Sequence, residues 1–233
     1  MTTNETFASG LTVKTLLGRP LNDVEVKNAP EILYVSGILK IPLPKPRVSI
    51  VGSRKASPNG LSDARSIAKI LASKEVVIVS GLAEGIDTTA HLAAIEAGSK
   101  TIAVLGTPLN KTFPAKNSSL QQEIMRHHLA ISQFEMGEPV RPNNFVTRNR
   151  TMALISDATI IVEASDNSGS LHQGWEALRL GRPLFIWKSL LNRDDLPRVH
   201  KMFSYGAIEL FDAEDILEFL PSSLEVEVPN ALA

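Results

Sequence analysis

Val48-Ser49-Ile50-Val51-Gly52-Ser53-Arg54 runs from four mostly apolar, β-branched positions into a glycine, a hydroxyl and an arginine. A run that short and that apolar reads as a strand buried on both faces, as parallel sheets require. The same signature recurs at Val76-Val77-Ile78-Val79, Thr101-Ile102-Ala103-Val104-Leu105, Leu129-Ala130-Ile131-Ser132, Thr159-Ile160-Ile161-Val162, Pro183-Leu184-Phe185-Ile186-Trp187 and Ala207-Ile208-Glu209-Leu210. Each interval leaves room for one helix. Leu61, Ala64, Ile67, Ala68 and Leu71 recur at helical spacing, as do Leu171, Trp175 and Leu178. Asp87 reads as the N-cap of a helix through Ala97, which Gly98 stops.

Alternating strands and helices with right-handed crossovers give an α/β fold, a doubly wound, Rossmann-like, mostly parallel sheet over residues 47–220. Residues 1–46 read as a short N-terminal extension packed on that core, and residues 221–233 as an acidic tail. In such sheets ligands bind at the carboxyl ends of the strands.

The 233-residue chain is 43% hydrophobic and 21% charged, enough apolar surface for a large core. It contains no cysteine, which excludes disulfide scaffolds, thiol nucleophiles and thiolate metal sites. The N-terminus has neither the cationic start nor the apolar stretch of a secretory signal, and no apolar run has membrane-spanning length, so the chain reads as soluble and cytoplasmic. The net charge of −1 conceals an asymmetry: residues 45–150 hold 14 basic against 8 acidic side chains, and residues 151–233 hold 6 against 13. A basic middle permits an anion-binding face.

Three polar strand ends should meet at one edge of the sheet. Gly52-Ser53-Arg54 offers close backbone approach, a hydroxyl and a phosphate fork ahead of a helix start; an ordinary strand-to-helix turn uses similar residues. Ser80-Gly81-Leu82-Ala83-Glu84-Gly85-Ile86-Asp87 lacks the dinucleotide G-x-G-x-x-G spacing, and His91 after it reads equally as a buried core histidine. Arg148-Asn149-Arg150 reads as the opening of a helix that faces Ser168-Gly169-Ser170, with Lys111 and Lys116 in a neighbouring loop; a solvated arginine pair is the alternative. The five histidines show no metal-ligand spacing, and neither a nucleophile elbow nor a Walker sequence occurs.

In order along the chain, Val48 to Ser57, Val79 to Asp87 with Ala90-His91, Thr101 to Gly106, Phe113-Pro114, Arg148-Asn149-Arg150, and Val162-Glu163-Ala164 with Ser168-Gly169-Ser170-Leu171 together resemble the DNA-processing protein A (DprA/Smf) family. The resemblance spans about residues 30–190. It implies a Rossmann-like domain that binds single-stranded DNA without regard to sequence, forms a homodimer and works with a RecA-type recombinase in natural transformation, with no catalytic residue, metal or cofactor. Carried onto this chain, the phosphate-binding set is Gly52, Ser53, Arg54, Gly81, Lys111, Lys116, Arg148, Asn149, Arg150, Ser168, Gly169 and Ser170. Departures from the family pattern at Ser132-Gln133, Phe145-Val146-Thr147, Ala153 to Ser156, His172-Gln173 and Trp187-Lys188 mark a divergent member, and the short flanks lead to the expectation of a stand-alone one.

A second reading follows from a wider group of similar fold, the lysine-decarboxylase-like phosphoribohydrolases, which bind nucleotides or their derivatives. Ser168-Gly169-Ser170 with Glu176 loosely echoes their glycine-rich pattern and acid, and Arg150 would lie opposite. Only twelve aromatic residues are present, 8 Phe, 2 Trp and 2 Tyr, so a strand-binding surface here should rest on backbone contacts more than on base stacking.

Overall fold

The computed structural model describes residues 7–221 except residue 167. Every apolar run identified in the sequence forms a strand. The elements are β1 (Phe7–Leu11), α1 (Val13–Leu17), α2 (Asp23–Val26), β2 (Leu33–Gly37), β3 (Arg47–Gly52), α3 (Pro58–Ser73), β4 (Val77–Ser80), α4 (Ile86–Glu96), β5 (Thr101–Leu105), α5 (Ser118–His127), β6 (Leu129–Ser132), α6 (Pro142–Ile155), β7 (Ala158–Glu163), α7 (Gly169–Arg179), β8 (Leu184–Trp187), α8 (Pro197–Phe203) and β9 (Ile208–Leu210). Short 3-10 turns follow at Ala115–Asn117, Lys188–Leu190 and Ala213–Phe219.

Among the described residues the strands form one sheet in the order β1-β2-β6-β5-β4-β3-β7-β8-β9. Pairings from β6 through β9 are parallel, whereas β1 with β2 and β2 with β6 are antiparallel. From β3 the chain winds outward through β4, β5 and β6, then crosses back to lay β7, β8 and β9 on the other side. The switch point therefore lies between β3 and β7, and the crevice expected of such a sheet lies beyond their carboxyl ends.

The two-residue period of the strands decides which helices cover which face. Val48 and Ile50 of β3, Ile78 of β4, and Ile160 and Val162 of β7 pack with Ile67 and Leu71 of α3 and Ala90 and Ala93 of α4. Val51, Val77, Val79 and Ile161, on the opposite face, pack with Leu16 of α1, Leu154 of α6, Leu171 of α7 and Met202 of α8. Residues 7–46 add β1 and β2 to the sheet edge, and Leu33 and Val35 join the second of these cores. Glu25 ties that segment down: buried, it accepts from Arg19 at 2.6 and 2.8 Å and from Arg182 at 2.6 Å. No described helix is long and apolar enough to cross a membrane.

Three local expectations need correction or lie out of reach. Asp87 is not an N-cap: Gly85, at φ +76°, occupies that position, and Asp87 is the second residue of α4. Only glycine readily takes such a backbone, which lets the helix begin two residues early. Arg148-Asn149-Arg150 does not open a helix, because α6 starts at Pro142 and the triplet lies in its middle. Proline's fixed φ and missing N–H suit the first turn, so Arg141-Pro142 is the start signal. The tail expected at residues 221–233 lies outside the described residues beyond Pro221.

Candidate functional site

At the switch point the loops after β3 and β7 and the first half of α6 enclose a cavity of about 780 Å³. Gly52, Ser53, Arg54 and Lys55 line it from the β3 side, Ser165, Ser168, Gly169 and Ser170 from the β7 side, and Arg141, Phe145, Arg148 and Asn149 from α6. A smaller lobe of about 240 Å³ continues between Arg54, Gly81, Glu84, Phe113, Phe145 and Arg148. Three of the polar strand ends thus meet.

The turn after β3 is set by close backbone approach. A Cβ at Gly52 would collide with Ile86 and with the Glu163 carbonyl, and one at Gly85 with the Ser53 carbonyl. Ser53 N–H donates to the Glu163 carbonyl at 2.8 Å, while Lys55 N–H donates to Ser53 Oγ at 3.1 Å. This pins the loop and leaves Arg54 and Lys55 exposed on its tip. The Arg54 guanidinium lies 5.5 Å from the Phe145 ring centre, and Phe145 sits 5.1 Å from Phe113, which is 49% exposed. An exposed cation beside two accessible rings offers both a phosphate contact and a stacking surface.

Arg148 differs from Arg54 in kind. It is buried, donating to the Gly81 carbonyl, to the Val104 carbonyl at 2.7 Å and to Asn149 Oδ1 at 2.9 Å. A Cβ at Gly81 would strike the guanidinium, so Gly81 acts by making room. Burial lowers the Arg148 pKa to about 10 against the pull of Asp87. Asp87 is buried too; desolvation raises its pKa, and Arg148 and the N–H groups of Ala83 and Gly81 oppose the rise. Together they form a charged floor whose donors are largely committed to the protein.

Asn149 is a positioning residue, donating from Nδ2 to the Gly169 carbonyl at 3.0 Å and so holding the first turn of α7 against α6. Gln173, with its amide turned, donates to the Asn149 carbonyl at 2.6 Å and accepts from Ala153 N–H at 3.2 Å. At the start of α7 the Ser168 hydroxyl pairs with Ser170 Oγ at 2.7 Å and caps no backbone N–H among the described residues. That first turn opens toward the cavity, and a Cβ at Gly169 would meet nothing within 4 Å.

The remaining expected residues lie elsewhere. Arg150 projects from the exposed side of α6 and pairs with Glu176 at 3.2 Å, and Glu176 also binds Arg179. Neither Arg150 nor Glu176 lines the cavity, so Arg148 and Arg150 do not share a pocket and the acid of the phosphoribohydrolase reading is absent from it. Lys116 is paired with Glu84 at 2.8 Å, and Lys111 donates to the Glu138 carbonyl at 2.9 Å; both stand outside the lining. Sequence reasoning missed Lys55, Arg141, Phe113 and Phe145 as site residues. The signals available for them were the Val48 to Ser57 and Phe113-Pro114 motifs, the departure at Phe145, and Arg141-Pro142 as a helix start. Among the described residues no three His, Asp or Glu side chains are grouped to hold a metal ion.

Comparison with known proteins finds relatives in both sequence and fold. The sequence profile of the family described as DNA recombination-mediator protein A covers residues 19–221. The DNA processing protein DprA of Streptococcus pneumoniae is 38% identical over 195 residues, 83% of this chain and 68% of that protein. Its crystal structure superposes with a TM-score of 0.75, covering 92% of this chain and 74% of the other. A DNA processing protein A from Helicobacter pylori, whose structure concerns its single-stranded DNA binding mode, gives a TM-score of 0.76 at 27% identity and covers 92% of this chain and 95% of that one. This chain spans between 50% and 68% of the length of the curated relatives it matches.

Proposed function

This chain belongs to the DNA recombination-mediator protein A family, the DprA/Smf proteins, and from that premise we propose that it binds single-stranded DNA through the switch-point cavity, holding backbone phosphates without reading sequence. One observation carries the reading: Arg54 and Lys55 from the β3 loop and Arg141 from α6 line the same cavity as the first turn of α7, together with the rings of Phe113 and Phe145. Cations facing helix N–H groups suit a phosphodiester. Rings beside them accept an unpaired base, which a duplex keeps stacked inside. In this reading Gly52, Ser53 and Arg54 contact phosphate with Ser168, Gly169 and Ser170, and Gly81, Arg148 and Asn149 shape the floor.

The test is a paired titration of fluorescent oligo-dT, the matching duplex, and ADP-ribose. Oligo-dT binds best, and its log–log salt slope is about −0.7 for each phosphate neutralised. Equal affinity for duplex, or preference for ADP-ribose, overturns the reading.

The cellular setting is the cytoplasm, in DNA uptake or recombination, with a RecA-type recombinase as partner and a homodimer as the working unit. The support for a dimer is the far edge of the sheet, where among the described residues β9 is paired on one side only and Tyr205, Phe211 and Phe219 are 60%, 56% and 47% exposed. Light scattering at micromolar protein gives a dimer mass, and a monomer at every concentration refutes it.

A further inference from the structure

In doubly wound sheets the first strand at the switch point feeds a helix whose N-terminus receives a terminal phosphate or pyrophosphate. Here that helix is α3, and its cap is already engaged from within the protein. Pro58 at the first position has no N–H, Gly60 N–H donates to Ser57 Oγ at 3.0 Å, and Ser57 N–H donates to Glu163 at 3.0 and 3.2 Å. Ser57 Oγ donates to the same carboxylate at 2.5 Å. Glu163 is the last residue of β7, and it reaches across the switch point to lie on the first turn of α3. The contact is close enough that a Cβ at Gly60 would collide with Glu163 Oε2. The cavity lining stops on either side of this contact: Lys55 and Ser165 take part, whereas Ser57, Pro58 and Glu163 do not.

We infer that Glu163 is an internal anion that closes the α3 N-terminus to terminal phosphates and pyrophosphates. Its carboxylate holds the N–H and hydroxyl of the Ser57 cap, that hydroxyl takes the Gly60 N–H, and the carboxylate sets a negative charge beside the first turn. A phosphodiester within a strand carries one charge and needs only the Arg54 side of the crevice. A terminal phosphate or diphosphate carries more charge and would be repelled at close range. The inference rests on the strand-binding reading, because it explains how a nucleotide-binding fold takes strands while abundant free nucleotides are present.

Two variants open the position by different routes. Glu163→Ala removes the carboxylate. Gly60→Ala displaces it by adding a methyl beneath it in the first turn. Calorimetric titration with inorganic pyrophosphate is expected to show binding at least about tenfold tighter to both variants than to the unmodified protein. Oligo-dT affinity stays within about twofold, because neither residue lines the cavity. The inference is overturned if folded variants bind pyrophosphate no better than the unmodified protein, or if the unmodified protein already binds it as tightly. It is equally overturned if either variant loses oligo-dT binding while melting normally, since Glu163 would then be shaping the strand site. Failure of the unmodified protein to bind oligo-dT defeats the strand-binding reading instead, and the pyrophosphate comparison separates the two.

Discussion

α3 and α7 follow neighbouring strands and begin at the same crevice, yet their first turns are built in opposite ways. α3 carries a serine cap that bonds its own backbone, a proline without an N–H, and a glutamate from β7 seated over both. α7 begins at Ser168, whose hydroxyl turns aside to Ser170, and at Gly169, which leaves open space. Helix N-termini attract anions, and a protein can meet that demand from within or leave it to a ligand. The first turn after β3, where a nucleotide fold conventionally binds, is here a structural joint. In the proposed reading the binding role lies one strand over, between the tip of the β3 loop and the start of α7.

The largest effect is expected from the floor of the cavity. Arg148→Ala leaves the Gly81 and Val104 carbonyls without their donor and Asp87 without its counter-charge, all in buried surroundings. Removing one partner of a buried charged group costs about 3–5 kcal/mol, so this variant should melt well below the unmodified protein and lose oligo-dT as a consequence. A normal melting curve would mean that the floor is not held by Arg148.

Arg54→Ala and Gly169→Asp probe the open side alone. Loss of an exposed, charge-assisted phosphate contact should weaken oligo-dT binding roughly 10- to 100-fold with little change in melting temperature. Gly169→Asp gives α7 the internal anion that α3 already has. Binding should fall by about tenfold while the helix itself is slightly favoured by a carboxylate in its first turn. If Gly169→Asp binds normally, α7 is as closed as α3 and the contrast between them fails.

Acid titration separates scaffold from rim. His91 in α4 is fully buried and bonded to Thr101, and burial holds its pKa at about 3. The unfolded chain takes up that proton below about pH 6.5 and the folded chain resists it, so stability declines as pH falls from 6.5 toward 3. Glu25, lowered to about 2 chiefly by its bond to Arg19, contributes stability that is complete above about 4.5 and is lost between there and 2. Melting temperature should therefore decline from pH 6.5 downward, with a steeper fall below 4.5. Glu25→Gln should flatten only the lower part. A flat profile from 6.5 to 4.5 would show that His91 is not held neutral by the fold.

What was legible in the sequence follows from how local each signal is. The seven apolar runs became strands because burial on both faces leaves a continuous pattern within four or five residues. Gly52-Ser53-Arg54 was legible for the same reason, since a loop directly after such a strand must lie at its carboxyl end. α6 was misread because its inner face lines a cavity, so Asn149 and Arg148 stand where an apolar stripe would otherwise mark a helix. Arg141 and Phe145 went unnoticed with it. The bond between Glu163 and Ser57 joins residues 106 apart in sequence, and no local pattern carries it.

The smallest effect is expected at Arg150, and its smallness is informative. Two residues beyond Arg148, it faces away from the floor, because on a helix neighbours two apart point in different directions. It is half exposed and already paired with Glu176, which Arg179 also engages. Exposed pairs of this kind contribute about 0–1 kcal/mol, so Arg150→Ala should leave melting nearly unchanged and oligo-dT affinity within about twofold. Glu176 would keep Arg179 as its partner. A tenfold loss of affinity would place the strand across the outer face of α6 as well as in the crevice. The bound surface would then run past Asn149 toward Glu176, and the open turn of α7 would be one contact among several.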